Sequence, residues 1–206
     1  MTALPSSGPP LVAEPPPLLV ITPEQPLSDE AAILAALVDA GCQRLHLRRP
    51  GGGYAALAQL VAALPAEHRQ RCTIHGPRQW ALDLGCGGYH HPQAQREAQL
   101  RSSRSWHQLH EPSEICDYGF LSPVFPSISK PGYQPSWSLA AARSQAAQWP
   151  CPVYALGGIT PDRLSAVVAA GFTGAALLGW LWQPQERDGI IARWQQMSQA
   201  WQACRA

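Results

Sequence analysis

A repeated alternation constrains this chain more than any other feature. From Leu18 onward, short apolar runs alternate with longer segments of helical character. "LLVIT" (18–22) reads as a strand. "SDEAAILAALVDAG" (28–41) follows as a helix, with Ser28 as N-cap, acids in the first turn and Gly41 as a stop. "QRLHLR" (43–48) and "YAALAQLVAALPAEH" (54–68) repeat the pair, as do "CTIH" (72–75) and "PRQWALDLG" (77–85). "GGYHH" (87–91) is strand-like, and "SSRSWH" (102–107) is a weaker strand candidate. "DYGFLSP" (117–123), "PVYALGG" (152–158) and "TGAALLG" (173–179) complete the strands. The remaining helices are "SWSLAAARSQAAQ" (136–148), "TPDRLSAVVAAG" (160–171), with Thr160 as cap and Pro161 in first position, and "ERDGIIARWQQMSQAWQA" (186–203). Strands that mostly alternate with helices imply a parallel sheet with helical crossovers. Eight strand candidates predict a single closed (β/α)8 TIM barrel, a fold that usually needs about 200 residues or more. The competing arrangement is an open doubly wound sheet, kept in play by the weak fifth unit. No G-x-G-x-x-G follows the first strand, which disfavours a dinucleotide-binding sheet.

The barrel is expected over 18–206, preceded by a Pro-rich extension, 1–17, that is extended and poorly ordered. Hydrophobic residues make up 46%, enough for a sizeable core. Charged residues make up 14% and the net charge is +1, so there is no basic footprint for nucleic acid. Apolar runs are broken by glycines, which argues against a membrane span, and the N-terminus lacks the pattern of a secretory signal. Six scattered cysteines with no C-x-x-C pair point to a reduced, cytoplasmic setting.

Active sites of such barrels lie at the C-terminal ends of the strands. The predicted strands place His46 and Arg48, then His75, then His90 and His91, then Ser105 and His107, then Ser122 at those ends. Polar residues at nearly every strand end are hard to explain by core packing. Strand 7 ends in Gly157-Gly158 and strand 8 at Gly179-Trp180. The loops after these two strands frequently hold phosphate, because glycine lets an anion approach backbone N–H groups closely. Either glycine site alone could serve only a tight turn. Lys130 is the single lysine of the chain, in the loop "FPSISKPGY" (125–133). A compact ammonium on a thin stem suits closure over an anion in a crowded pocket better than a planar guanidinium; otherwise Lys130 reflects codon bias and is a solvated loop charge.

With "FPSISKPGY", "ALGGIT" and "GAALLGWLW" placed in order on strands 6 to 8, the chain resembles the thiamine phosphate synthase and TenI-like (thiazole tautomerase) family. The resemblance runs from about Leu18 to Trp182 and is strongest in the last third. It covers Asp117-Tyr118, Pro123, Phe125, Pro126 and Lys130, with Ser127 and Ser129 at hydroxyl positions, Ser105-Trp106-His107 with Glu111, and Arg48. The resemblance implies that Gly157, Gly158, Gly179 and Trp180 hold a thiazole phosphate. It implies further that Lys130 and Arg48 neutralise a pyrophosphate, and that His46, Ser105, His107, Ser122, Ser127 and Ser129 contact substrate.

The departures concern metal. Where the synthase pattern has Asn-Asp-Arg after strand 3, this chain has His75-Gly76-Pro77, and no aspartate stands near Pro92 to Gln95. His46 replaces a glutamine, Pro50 replaces a second cation, and Arg49 is a doubtful substitute for it. The preferred expectation is therefore a thiazole tautomerase with His75 or His90 as general base and Lys130 closing over the substrate, since histidine moves protons near neutral pH. The alternatives are a thiamine phosphate synthase, which would need Mg²⁺, and a non-catalytic barrel that binds thiazole or thiamine phosphate. No cofactor and no metal site are otherwise expected; a zinc site is disfavoured because no carboxylate or cysteine has a familiar ligand spacing. The expected partner is a small phosphorylated thiazole, with no nucleic acid or membrane, and oligomeric state is open.

Overall fold

The computed structural model describes residues 16–106, 116–128, 132 and 134–205. The extension expected at 1–17 lies almost wholly outside them, as do His107, Glu111, Ser129 and Lys130. Eight strands, β1 (Leu18–Ile21), β2 (Leu45–Leu47), β3 (Cys72–His75), β4 (Gly88–His90), β5 (Arg101–Trp106), β6 (Tyr118–Leu121), β7 (Val153–Leu156) and β8 (Gly174–Leu177), form one closed parallel barrel. Closure pairs Leu18 of β1 with Ala175 of β8, which excludes the open doubly wound sheet. Helices α1 (Glu30–Asp39), α2 (Gly53–Ala62), α3 (Arg78–Asp83), α4 (Leu139–Ala146), α5 (Leu164–Ala169) and α6 (Arg187–Ala203) are distributed along the chain between and after the strands. Residues 91–100, between β4 and β5, contain no helix. No helix among the described residues is long and apolar enough to cross a membrane.

Several boundaries differ from those predicted. Asp29, with φ of 54°, stands at the N-cap of α1 and Ser28 does not, and neither side chain caps the helix. Helix α2 stops at Ala62, ahead of Pro65, and the chain continues as a 3-10 turn over Ala66–Arg71; proline cannot donate the backbone hydrogen bond a helix interior needs. The segment 160–171 splits into a 3-10 turn, Pro161–Arg163, and α5. The weak candidate became the longest strand, β5, over Arg101–Trp106. Its Ser102, Ser103 and Arg104 are buried because tertiary partners satisfy them. The Ser102 N–H and hydroxyl donate to Asp117 Oδ2 (2.8 and 3.0 Å), and Arg104 Nε donates to the Ala94 carbonyl.

Strand alternation sorts the core into two compartments. Leu18 and Val20 face the helices, whereas Leu19 and Ile21 face the lumen with Tyr118, Phe120, Tyr154 and Ala176. Outside the barrel, Gly119 lies beneath the Trp106 indole, where an added Cβ would fall 1.6 Å from a ring carbon. Trp106 is held in turn against Trp149, with ring centroids 5.0 Å apart. Gly119→Ala is therefore expected to destabilise the fold by about 1–3 kcal/mol through overpacking. Urea denaturation checks this, and an unchanged midpoint would show that the indole moves aside freely.

Candidate active site

The lumen is divided in chemistry. Strands β1, β7 and β8 contribute Leu19, Ile21, Tyr154 and Ala176, while β2 to β5 contribute His46, Thr73, His75, His90, Ser103 and Ser105. Register explains the convergence of the histidines. His46 pairs with Thr73 across β2 and β3, and His75 pairs with His90 across β3 and β4, so His75 and His90 lie one layer nearer the mouth.

These side chains form two hydrogen-bonded groups joined by a ring stack. His46 is fully buried; its Nε2 lies 2.8 Å from the Tyr118 hydroxyl and its Nδ1 lies 3.0 Å from His75 Nε2. In the neutral pair, one of those two ring nitrogens carries the proton and donates it to the other. His90 Nδ1 meets Ser103 Oγ at 3.0 Å, and its Nε2 meets Ser105 Oγ at 3.1 Å. The His75 and His90 rings stack, with centroids 4.2 Å apart and planes 18° apart. Burial is the main cause that holds all three rings uncharged. It pushes His46 and His75 well below the ordinary histidine range, and His90 down to about 3, with neighbouring His and Arg charges adding to the effect. Burial also raises the Tyr118 phenol, so Tyr118 stays protonated. Neutral imidazole is the form that accepts a proton or a metal ion.

Above this floor lies a cavity of about 700 Å³, open at the C-terminal end of the barrel. Of the residues predicted from sequence, Arg48, His75, His90, Ser105, Ser122, Ser127, Gly157, Gly158, Gly179 and Trp180 line it. His46 lies beneath and does not line it. His107, Ser129 and Lys130 fall outside the described residues. Tyr118, Ser103 and Glu24 were not predicted as site residues. The alternation that puts Tyr118 and Phe120 on one face was the available signal for Tyr118.

Among the described residues, charge at the mouth is sparse. Arg48 borders the cavity and pairs with Glu24 at 3.3 Å. Arg49 turns away into a buried ion pair with Glu30, with further bonds to Thr22 Oγ1 and the Pro23 and Arg48 carbonyls, and so does not serve as a second mouth cation. Burial raises the Glu30 carboxyl despite this partner.

On the opposite side, Gly157 (φ 96°) and Gly158 (φ 64°) adopt left-handed backbone that favours glycine. They are also packed against the loop after β6. An added Cβ would lie 2.9 Å from Pro123 Cα at Gly157 and 2.4 Å from the Pro126 carbonyl oxygen at Gly158. Phe125 N–H donates to the Gly157 carbonyl (3.2 Å), and Arg163 donates to that of Gly158 (2.6 Å) while lying over the Phe125 ring. Both glycines thus bind the β6 and β7 loops together and leave bare backbone at the mouth.

A family model for thiamine monophosphate synthase matches residues 18–180. A thiamine-phosphate synthase of Nitrosococcus oceani is 35% identical over 86 residues, 41% of this chain and 39% of that protein, so the match spans about two fifths of that relative's length. A thiamine-phosphate synthase of Lactiplantibacillus plantarum is 29% identical over 181 residues, 78% of this chain and 83% of that protein. Among solved structures, the thiamine phosphate pyrophosphorylase of Bacteroides thetaiotaomicron superposes with a TM-score of 0.70 at 24% identity, covering 89% of this chain and 96% of that one, a likeness of fold.

Proposed function

The chain belongs to the thiamine monophosphate synthase family, and from that premise we propose that it binds a thiazole phosphate and joins it to a pyrimidine pyrophosphate, releasing pyrophosphate. The observation that carries the phosphate part is the meeting of two glycine turns, Gly157-Gly158 and Gly179, at one cavity with the Ser122 and Ser127 hydroxyls. Bare backbone and hydroxyls accept a phosphate monoester without needing a large local charge. The named relatives support the joining reaction better than the isomerisation preferred from sequence alone.

In the joining step, the thiazole nitrogen forms a bond to the pyrimidine methylene carbon. The carbon–oxygen bond to pyrophosphate breaks, and its electron pair leaves with the pyrophosphate. On the resemblance, Arg48, which lines the cavity, would meet the leaving group's charge, with Lys130 as the second cation. Mg²⁺ would ordinarily share that charge through oxygen ligands. The described residues do not fit such a site: Glu24, paired with Arg48, is the one acid among the described residues lining the cavity, and the ends of β3 and β4 offer histidines. No step is therefore assigned to Mg²⁺.

One observation favours a second reading, the tautomerase. His75 and His90 border the cavity, and histidine is the side chain most often used to move protons. In that reaction, His90 or His75 would take a ring proton from the thiazole phosphate and return it at another atom.

Incubation with both substrates separates the readings. The expected result is thiamine phosphate and pyrophosphate in equal amounts, with thiazole phosphate affinity changing less than tenfold, about 1.4 kcal/mol, on chelation of Mg²⁺. Conversion of the thiazole tautomer alone, without joining, establishes the second reading. Tight binding with neither turnover makes the barrel a sensor.

A further inference from the structure

The described residues bring three histidines from three successive strands to one point. The ligand nitrogens of His46, His75 and His90 all lie within 4.8 Å of one another. No other group of three histidine, cysteine or carboxylate side chains among the described residues meets in this way. We propose that His46, His75 and His90 form a site for a divalent transition ion of the zinc class, with its remaining coordination position open to the cavity.

Spacing supports this first. Two nitrogens bound to one ion at about 2.0–2.1 Å stand roughly 3.3 Å apart in tetrahedral geometry. His46 Nδ1 and His75 Nε2 are already 3.0 Å apart. The third ring needs a turn: His90 stacks on His75 and bonds a serine through each nitrogen, so it must give up one serine to bind the ion and can keep the other.

The outer partners support it next. Ligating histidines nearly always hand their second ring nitrogen to a polar group that fixes the ring. His46 has Tyr118 on Nε2 at 2.8 Å, itself 3.4 Å from Thr73 Oγ1, and His90 has Ser103 and Ser105 on its two nitrogens. Three imidazoles without a carboxylate select a borderline nitrogen-seeking ion and reject Mg²⁺ and Ca²⁺, which require oxygen.

The open position follows from burial. His46 is at the floor, whereas His75 and His90 line the cavity. Three protein ligands with room for a fourth is the pattern of catalytic rather than structural zinc. An ion there would supply a Lewis acid, or a bound water, at the inner end of the cavity. The proposal does not depend on which reaction the cavity performs, because its test reads metal binding alone.

The experiment uses the full chain without an added histidine tag, stripped with chelator and titrated with Co²⁺ and then Zn²⁺. The expected result is one Co²⁺ per chain with the visible absorption of a four-coordinate ion, displaced by Zn²⁺. His75→Gln and His90→Gln should each weaken Zn²⁺ by more than the roughly 10–100-fold that losing an outer partner costs, and Tyr118→Phe by about that smaller factor. His68→Gln, altering a histidine paired with Asp39 away from the site, should leave affinity unchanged. No four-coordinate Co²⁺ spectrum, or Zn²⁺ affinity unchanged in His75→Gln and His90→Gln, overturns the site. If either variant fails to fold, the wild-type melting temperature decides, since an ion that binds the folded state must raise it; no rise with Zn²⁺ overturns the proposal.

Discussion

Acidification from pH 7.5 to pH 5 is expected to destabilise this barrel, by about 2 kcal/mol through His90 alone. An unfolded histidine protonates near pH 6.5, whereas the folded protein holds His90 neutral down to about 3. The folded pKa is depressed, so the unfolded state binds the extra proton. The stability is fully present above about pH 6.5 and is lost as pH falls towards the folded value. At pH 5, His90 alone costs about 2 kcal/mol on this linkage. His46 and His75, lowered by the same burial, act in the same direction. The sum is large against a total folding stability of about 5–15 kcal/mol. Glu30 opposes it, because burial raises its carboxyl and favours proton uptake by the folded form. Comparison of the chelator-stripped wild type with chelator-stripped His90→Gln isolates that contribution, because release of an ion from these histidines would also follow pH. Urea unfolding at both pH values should show a smaller acid loss in the variant by about 2 kcal/mol. Equal losses would mean that His90 takes its proton within the fold.

Loss of phosphate-ester binding in Gly179→Asp is the second large effect expected. Gly179 lines the cavity beside Trp180, whose carbonyl accepts from Arg193 and whose ring lies under that guanidinium, centroid distance 4.6 Å. The new carboxylate would face a dianionic ester. At about 4 Å and the screening typical near a protein surface, one such repulsion is worth about 4 kcal/mol before solvent relaxes it. An affinity loss for thiazole phosphate of at least about 100-fold, near 2.7 kcal/mol, is expected. The unphosphorylated thiazole should bind as before. Undiminished binding of the phosphate ester by a folded Gly179→Asp protein would put the phosphate elsewhere. Gly158 is the less useful position, because any side chain there meets the Pro126 carbonyl and displaces the β6 loop whatever its charge.

Much of this was legible in the chain. Apolar runs such as "LLVIT" and "TGAALLG", separated by helical segments, determined a parallel sheet with helical crossovers, because strands buried on both faces need continuous apolar residues and parallel neighbours need crossovers, and the structure decided its closure. The glycines after β7 and β8, and Arg48 after β2, were placed at the mouth by position alone, since a barrel puts every strand's C-terminal end on one side. Sequence also pointed to Lys130, whose place lies outside the described residues. Strand β5 was barely legible: Ser102, Ser103 and Arg104 look like solvent residues until Asp117, His90 and the Ala94 carbonyl are brought against them. The doubt over Arg49 as a mouth cation has its physical reason in the tertiary structure, because Glu30, 19 residues away, draws it inward. The histidine cluster was decided only by tertiary structure. Alternation says that neighbouring residues of a strand face opposite sides, but not which side is the lumen. His46 and His75 are 29 residues apart, and their 3.0 Å contact exists because barrel closure and strand register set those faces against each other.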